Sequence, residues 1–277
     1  PPVVVPKVKA PTSPGVEVYS SSTASIDVSN KSHGYFTARY FGSNPKVKVL
    51  VQKDGQKYQY NLNSNGTVEV FPFSLGSGTY TIGVYEQISG TSYSVSIQQT
   101  ISVGISNQFL PFLYPNQQVN FSQNSACVTK AAQICAGKNS DIEKIGAIFT
   151  FITSNISYDY AEATAIINGS ITSYCPYPDE VLSTRKGICY DYASLFAAMA
   201  RSQGIPTKLV KGYVGPDGLY HAWNQVYTAQ TGWITVEIKI NPGFNTLDPT
   251  FYSSASNKAS VVSHFTNASY YRVYQVF

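Results

Sequence analysis

The N-terminal third of the chain restricts the fold more tightly than any other feature. From about residue 15 to 104 it is a succession of short runs rich in β-branched and aromatic residues: VEVYSSS, SIDVSN, GYFTARYF, KVKVLVQ, QKYQYNL, TVEVFPFSL, TYTIGVYEQ and SYSVSIQQTISV. Turn signals such as SNP, NSNGT, LGSGT and ISGT separate them. Strand-length runs at spacings of about 8–12 residues, punctuated this way, predict antiparallel strands folded as a sandwich. The clearest hairpin is KVKVLVQ-KDG-QKYQYNL, where Asp54 and Gly55 supply the turn chemistry. Residues 15–104 therefore read as an all-β, immunoglobulin-like sandwich, a spacer or adhesion module without concentrated His, Cys or acidic residues. Sugar stacking on exposed Tyr is the sharper alternative. Ahead of it, 1–14 reads as an extended Pro-rich leader.

The pattern changes beyond residue 105. SACVTKAAQICAG reads as a helix, with Cys127 and Cys135 as small hydrophobes on its buried face. Ser140-Asp-Ile-Glu143 is a capping box opening a second helix, whose stripe is Ile142, Ile145, Ile148, Phe149 and Ile152. Segment 169–183 reads as loop, and 159–180 is long enough for a lid. A third helix spans about 188 to 203 and stops at Gly204 and Pro206. Strands follow at about 206–214, 219–228, 232–240 and 244–250. Helices followed by an antiparallel sheet define an α+β domain over 105–277.

Charge narrows the function classes. Charged residues are 12% of the chain, where about 25% is usual. That composition is common in exported and cell-surface proteins, and a bacterial, extracellular or surface location is expected. The chain opens at Pro1 without Met or an apolar leader, so it is read as cut from a longer precursor that carried the signal. The 19 basic residues form no block, which argues against nucleic acid. No stretch approaches the ~20 apolar residues of a membrane span. The four Cys form neither a disulfide framework nor a zinc spacing. The 15 acidic residues are dispersed and no loop resembles a calcium site, so neither metal nor cofactor is expected.

The residues able to carry chemistry near neutral pH are few. Of three His (33, 221 and 264), only His221, in LYHAWNQVY, lies among other reactive residues. Cys189, in RKGICYDYASLFAAMA, falls in the first turn of the third helix. The dipole and free N–H groups there favour thiolate and suit an oxyanion. Gly187 allows close backbone approach. Asp248, in NTLDPTF, is placed to accept from the second ring nitrogen of His221. Taken singly, each has a plain alternative: a buried thiol, a core imidazole, a turn carboxylate.

Taken together, GICYDYASLFAAMARSQGIPTKLVKGYV, HAWNQVY, GWITV and LDPTF closely resemble the transglutaminase-like superfamily, over roughly residues 125–252, with NISYDYAEA similar to its lead-in. The resemblance implies a papain-like fold and a Cys189–His221–Asp248 triad. It implies thiol-dependent acyl transfer or hydrolysis at amide bonds of protein or cell-wall peptide substrates, with peptidase or deamidase activity slightly favoured over crosslinking. Asp248 comes late for the family, and Glu237, soon after Trp233, is the reserve third member. The oxyanion candidates are Tyr174 and Tyr177, with Tyr158 an outside choice. Cys175, between the first two, is either a second exposed thiol or a core residue. Asp191 matches the family's C-x-D pattern and reads as structural. The alternative function is a non-catalytic surface module that keeps the fold for binding, but all three catalytic roles are filled.

Overall fold

The computed structural model describes residues 3–214, 218–238 and 271–277. They divide into two units: Pro11–Gln117, and Gln118 onward together with the N-terminal segment ending at Ala10. The Pro-rich opening is thus split between the units. Gln123 holds its first part, accepting from the Val8 N–H at 2.9 Å and donating to the Pro6 carbonyl at 3.0 Å. The Thr12 N–H donates to the Tyr35 hydroxyl at 3.0 Å. These bonds give a segment poor in backbone donors fixed partners at Val8 and Thr12.

In the first unit the alternating runs form β1 (Val18–Ser20), β2 (Ala24–Asp27), β3 (Tyr35–Tyr40), β4 (Val47–Lys53), β5 (Gln56–Leu62), β6 (Glu69–Pro72), β7 (Gly78–Ser89) and β8 (Ser92–Val103). They make two antiparallel sheets of order β1-β2-β3-β6 and β5-β4-β7-β8. Asp54 and Gly55 both take positive φ, 51° and 78°, as the inner residues of a tight hairpin require. Aromatic rings join the sheets: Tyr60 meets Phe71 edge-on at 4.9 Å, and Phe73 meets Tyr80 at 4.8 Å. Each such buried ring contributes roughly 1.5–3 kcal/mol.

The second unit is α+β. Its elements are α1 (Ala126–Cys135), α2 (Asp141–Asn155), β9 (Ser157–Tyr158), α3 (Tyr160–Ile167), α4 (Pro178–Thr184), β10 (Lys186–Gly187), α5 (Cys189–Ser202), β11 (Thr207–Val214), β12 (Leu219–Thr228), β13 (Gly232–Val236) and β14 (Tyr271–Val276). The longer strands form an antiparallel sheet of order β13-β12-β11-β14, and β9 pairs with β10 in parallel. Helix α5 is buried on all sides from Tyr190 to Ser202, which identifies it as the central helix. The Asn224 amide of β12 donates to the Ala193 carbonyl of α5 at 2.9 Å, tying helix to sheet. No helix among the described residues is long and apolar enough to cross a membrane.

The capping box opening α2 is present: Ser140 Oγ accepts from the Glu143 N–H at 3.2 Å. Segment 169–183, expected as loop, instead contains most of α4. Its start signals are Pro178 in the first turn followed by Asp179 and Glu180. Asp179 also caps α1 from outside, accepting from the Ala126 and Cys127 N–H groups at 2.9 and 2.8 Å. Strand β13 ends at Val236, short of the expected 240, and the expected strand at 244–250 lies outside the described residues. Strand β14, unforeseen in the sequence, pairs with β11 and lays Val276 on Val210 and Trp223.

Candidate active site

Helix α5 starts at Cys189, and its start is held from within. The N-cap residue, Ile188, has no polar side chain to offer. Asp191, buried one turn in, accepts from the Ile188 N–H at 2.8 Å. Gly187 lies so close that a Cβ there would fall 2.6 Å from Asp191 Cβ, so any larger residue displaces the strand–helix turn. This reach of a carboxylate back to the N-cap donor fixes where the thiol stands.

Cys189 is half-buried, and its sulfur accepts from the main-chain N–H groups of Tyr190 and Ala222. It is hydrogen-bonded to His221 of β12. His221 is buried, and its Nε2 lies 3.1 Å from Glu237 Oε1, just beyond the end of β13. With Nε2 on the carboxylate, Nδ1 serves the thiol. Burial works against ionising both groups. On Cys189 it is outweighed by the hydrogen bond and charge of His221, and the thiol pKa is lowered. On His221 it is outweighed by the bonds to Cys189 and Glu237, and the imidazole pKa is raised. The arrangement favours a thiolate–imidazolium pair, the reactive form of a nucleophilic cysteine.

The other thiols behave differently. Cys127 and Cys135 are buried, which pushes both upward, Cys135 to about 11. Cys175 is exposed, and none of the four is in a disulfide.

The remaining sequence candidates separate clearly. Asp248 lies outside the described residues, as does His264, and the carboxylate found on His221 is that of the reserve candidate, Glu237. The Tyr174 hydroxyl is committed to carboxylates: it donates to Asp191 Oδ1 at 2.6 Å, and Glu162 Oε2 lies 3.2 Å away. It has no second hydrogen for an oxyanion, and it latches the segment after α3 to α5. Burial leads the rise of the Asp191 pKa to about 6; Glu162 adds to it, and bonds from Tyr174 and Ile188 oppose it. Tyr177 is exposed, on the rim of a cavity of about 280 Å³ that also includes Asp159, Glu162, Tyr174, Cys175 and Asp191.

Tyr158 is better placed than either. It pairs with Gly187 across β9 and β10, beside the start of α5. Burial first, then the nearby Cys189, raises its phenol to about 12, keeping the hydroxyl a donor. His33 stacks on Tyr114 in the strand unit at 5.9 Å.

Fold and site together define a cysteine–histidine–carboxylate centre at the N-terminus of a central helix packed on an antiparallel sheet, the papain-like class. Residues 128–238 match the family described as the Transglutaminase-like superfamily, and this part of the chain is a domain of that family. Three curated relatives align with it. The uncharacterized protein YebA of Bacillus subtilis is 23% identical over 234 residues, covering 78% of this chain and 29% of the relative. The kyphoscoliosis peptidase of Homo sapiens is 32% identical over 32% of this chain and 14% of its own length. A protein-glutamine gamma-glutamyltransferase of Pseudomonas aeruginosa is 35% identical over 21% of this chain and 11% of its own. The chain spans less than a third of the length of each.

Proposed function

We propose that the chain is a thiol-dependent enzyme acting on amide bonds of protein or peptide substrates, with Cys189 as nucleophile, His221 as its base and Glu237 as the group that orients the imidazole. The observation that carries this reading is the hydrogen-bonded series Cys189–His221–Glu237. The thiolate adds to the amide carbonyl, forming the C–S bond. The oxyanion that results is met by the main-chain N–H groups at the start of α5 and by the Tyr158 hydroxyl. His221 then donates its proton to the leaving nitrogen as the C–N bond breaks, leaving a thioester. Water, deprotonated by the same imidazole, gives hydrolysis; a primary amine in its place gives transfer. Hydrolysis is the outcome we favour, in a bacterial protein working outside the cell or on its surface, with peptide of the cell wall among its substrates. The strand unit is read as an immunoglobulin-like spacer.

The test is ammonia release and peptide-bond cleavage on a library of glutamine-containing peptides, with and without an added primary amine. Both activities are expected to vanish in Cys189→Ala. A product whose formation survives that change would sink the proposal.

Tyr158→Phe is expected to lower turnover by about 10²-fold, the usual cost of one oxyanion donor. Its signature is selective, because alkylation of Cys189 by iodoacetamide, which forms no oxyanion, stays within a few-fold of wild type. Parallel losses in both assays would place Tyr158 in the support of the thiol.

A further inference from the structure

Lys211 is a half-buried cation that the proposed chemistry does not use. It lies on β11, directly across from Ala222 of β12, whose N–H meets the Cys189 sulfur. Its Nζ stands 4.5 Å from the ring centre of Tyr190, the residue after the nucleophile, and 5.8 Å from that of Tyr220, the residue before His221. Both rings belong to residues next in sequence to the proposed pair: Tyr190 is buried and Tyr220 is 48% exposed. Among the described residues Lys211 forms no ion pair. Asp191 and Glu162 are engaged with Tyr174, whose ring lies 6.3 Å from that of Tyr190. Burial lowers the Lys211 pKa, and Cys175 and Cys189 act against that fall.

A partly desolvated ammonium held between two aromatic faces, with no carboxylate paired to it among the described residues, is a group kept in place for an anion from outside. Solvation of structural lysines ordinarily leaves the charged head in water. Here the head is turned onto the rings of Tyr190 and Tyr220, the residues next in sequence to Cys189 and His221. We propose that Lys211, seated on Tyr190 and Tyr220, is a carboxylate-binding subsite beside Cys189, and that it selects acyl donors carrying a carboxylate next to the amide that reacts. The proposal rests on the reading of Cys189 as nucleophile and adds the charge of its substrate.

Two alkylating reagents of nearly equal size separate the possibilities. Iodoacetate carries the carboxylate and iodoacetamide does not, and both lose iodide to the same sulfur. With the full chain at pH 6 and low salt, Lys211→Met is expected to slow iodoacetate at Cys189 by about tenfold while iodoacetamide changes by less than about twofold. Lys211→Arg, which keeps the charge, retains the preference. An equal fall with both reagents makes Lys211 a support of the thiolate and overturns the subsite. No change in the ratio overturns it too. A Cys189 that reacts with neither reagent in the wild-type chain counts against the nucleophile itself, a separate failure.

A second measurement needs no variant. N-Acetylglycine, a carboxylate next to an amide, is expected to protect wild-type Cys189 from iodoacetamide in a concentration-dependent way. N-Acetylglycinamide, the same shape without the charge, is not. Equal protection by the two, or none by either, overturns the proposal.

Discussion

Replacing His221 by Ala is expected to slow alkylation of Cys189 at pH 6 by about 10²-fold and to lower amide turnover by about 10³-fold or more. Burial alone raises a thiol pKa, and at Cys189 His221 is the principal group that reverses it. Without the imidazole the sulfur keeps two main-chain N–H bonds but loses its counter-charge. An ordinary thiol of pKa about 8.5 is only ~0.3% ionised at pH 6. The greater intrinsic nucleophilicity of a higher-pKa thiolate returns part of that loss. Turnover falls further than alkylation because the leaving nitrogen also loses its proton donor.

The pH dependence has a definite sign. In the wild-type chain the ion pair exists between the lowered thiol pKa and the raised imidazole pKa, so reactivity persists on the acid side of neutrality and falls as pH drops through the thiol value. In His221→Ala that acid limb moves to alkaline pH. Peptide mass spectrometry across pH 4–9 reads each cysteine separately, with Cys127 and Cys135 as slow internal references. An acid limb that does not move would remove His221 from the mechanism.

Glu237→Gln is expected to lower turnover by about 10²–10⁴-fold, the range set by the loss of charge behind a catalytic imidazole. The amide keeps the shape and can still accept from Nε2, so Cys189 stays in place. What is lost is one of the hydrogen bonds and charges that raise the His221 pKa. The alkaline limb of the pH–rate profile therefore moves to lower pH. Asp248→Asn is the matched control and is expected to leave both turnover and the limb unchanged. The opposite pattern, with Asp248→Asn severe and Glu237→Gln mild, would return the orienting role to Asp248.

The two assignments show how far residue patterns reach. Cys189 and His221 stand out as candidates because their signals are local: a thiol in the first turn of a helix that ends at Gly204, and the one histidine set among other reactive residues in a strand. The strands of the first unit were legible for the same reason, since alternation and turn residues act over a few positions. The carboxylate beside His221 has no such local signal. The DPT context favours Asp248, which lies outside the described residues, and the length of β13 brings Glu237 to the ring. Asn224 pairs with Val236, so the chain leaves β13 alongside the His221 end of β12 and puts Glu237 there.

The oxyanion candidates follow the same division. As sequence, Tyr174 is a candidate and Tyr158 an outside choice, each a tyrosine upstream of the cysteine. Their difference lies in partners: Asp191 and Glu162 take the hydroxyl of Tyr174, whereas the β9–β10 pairing sets Tyr158 beside the nucleophile turn. Lys211 carries no pattern at all until Tyr190 and Tyr220 close around it. Periodicity, capping and the scarcity of histidine therefore point to a strand-rich part, a helix-and-sheet part and the proposed nucleophile and base, because each depends on interactions within a turn or a strand. Pairing register and helix placement bring Glu237 to His221, Tyr158 to the start of α5 and Lys211 to the rings of Tyr190 and Tyr220, because those meetings depend on which distant side chains the folded chain brings together.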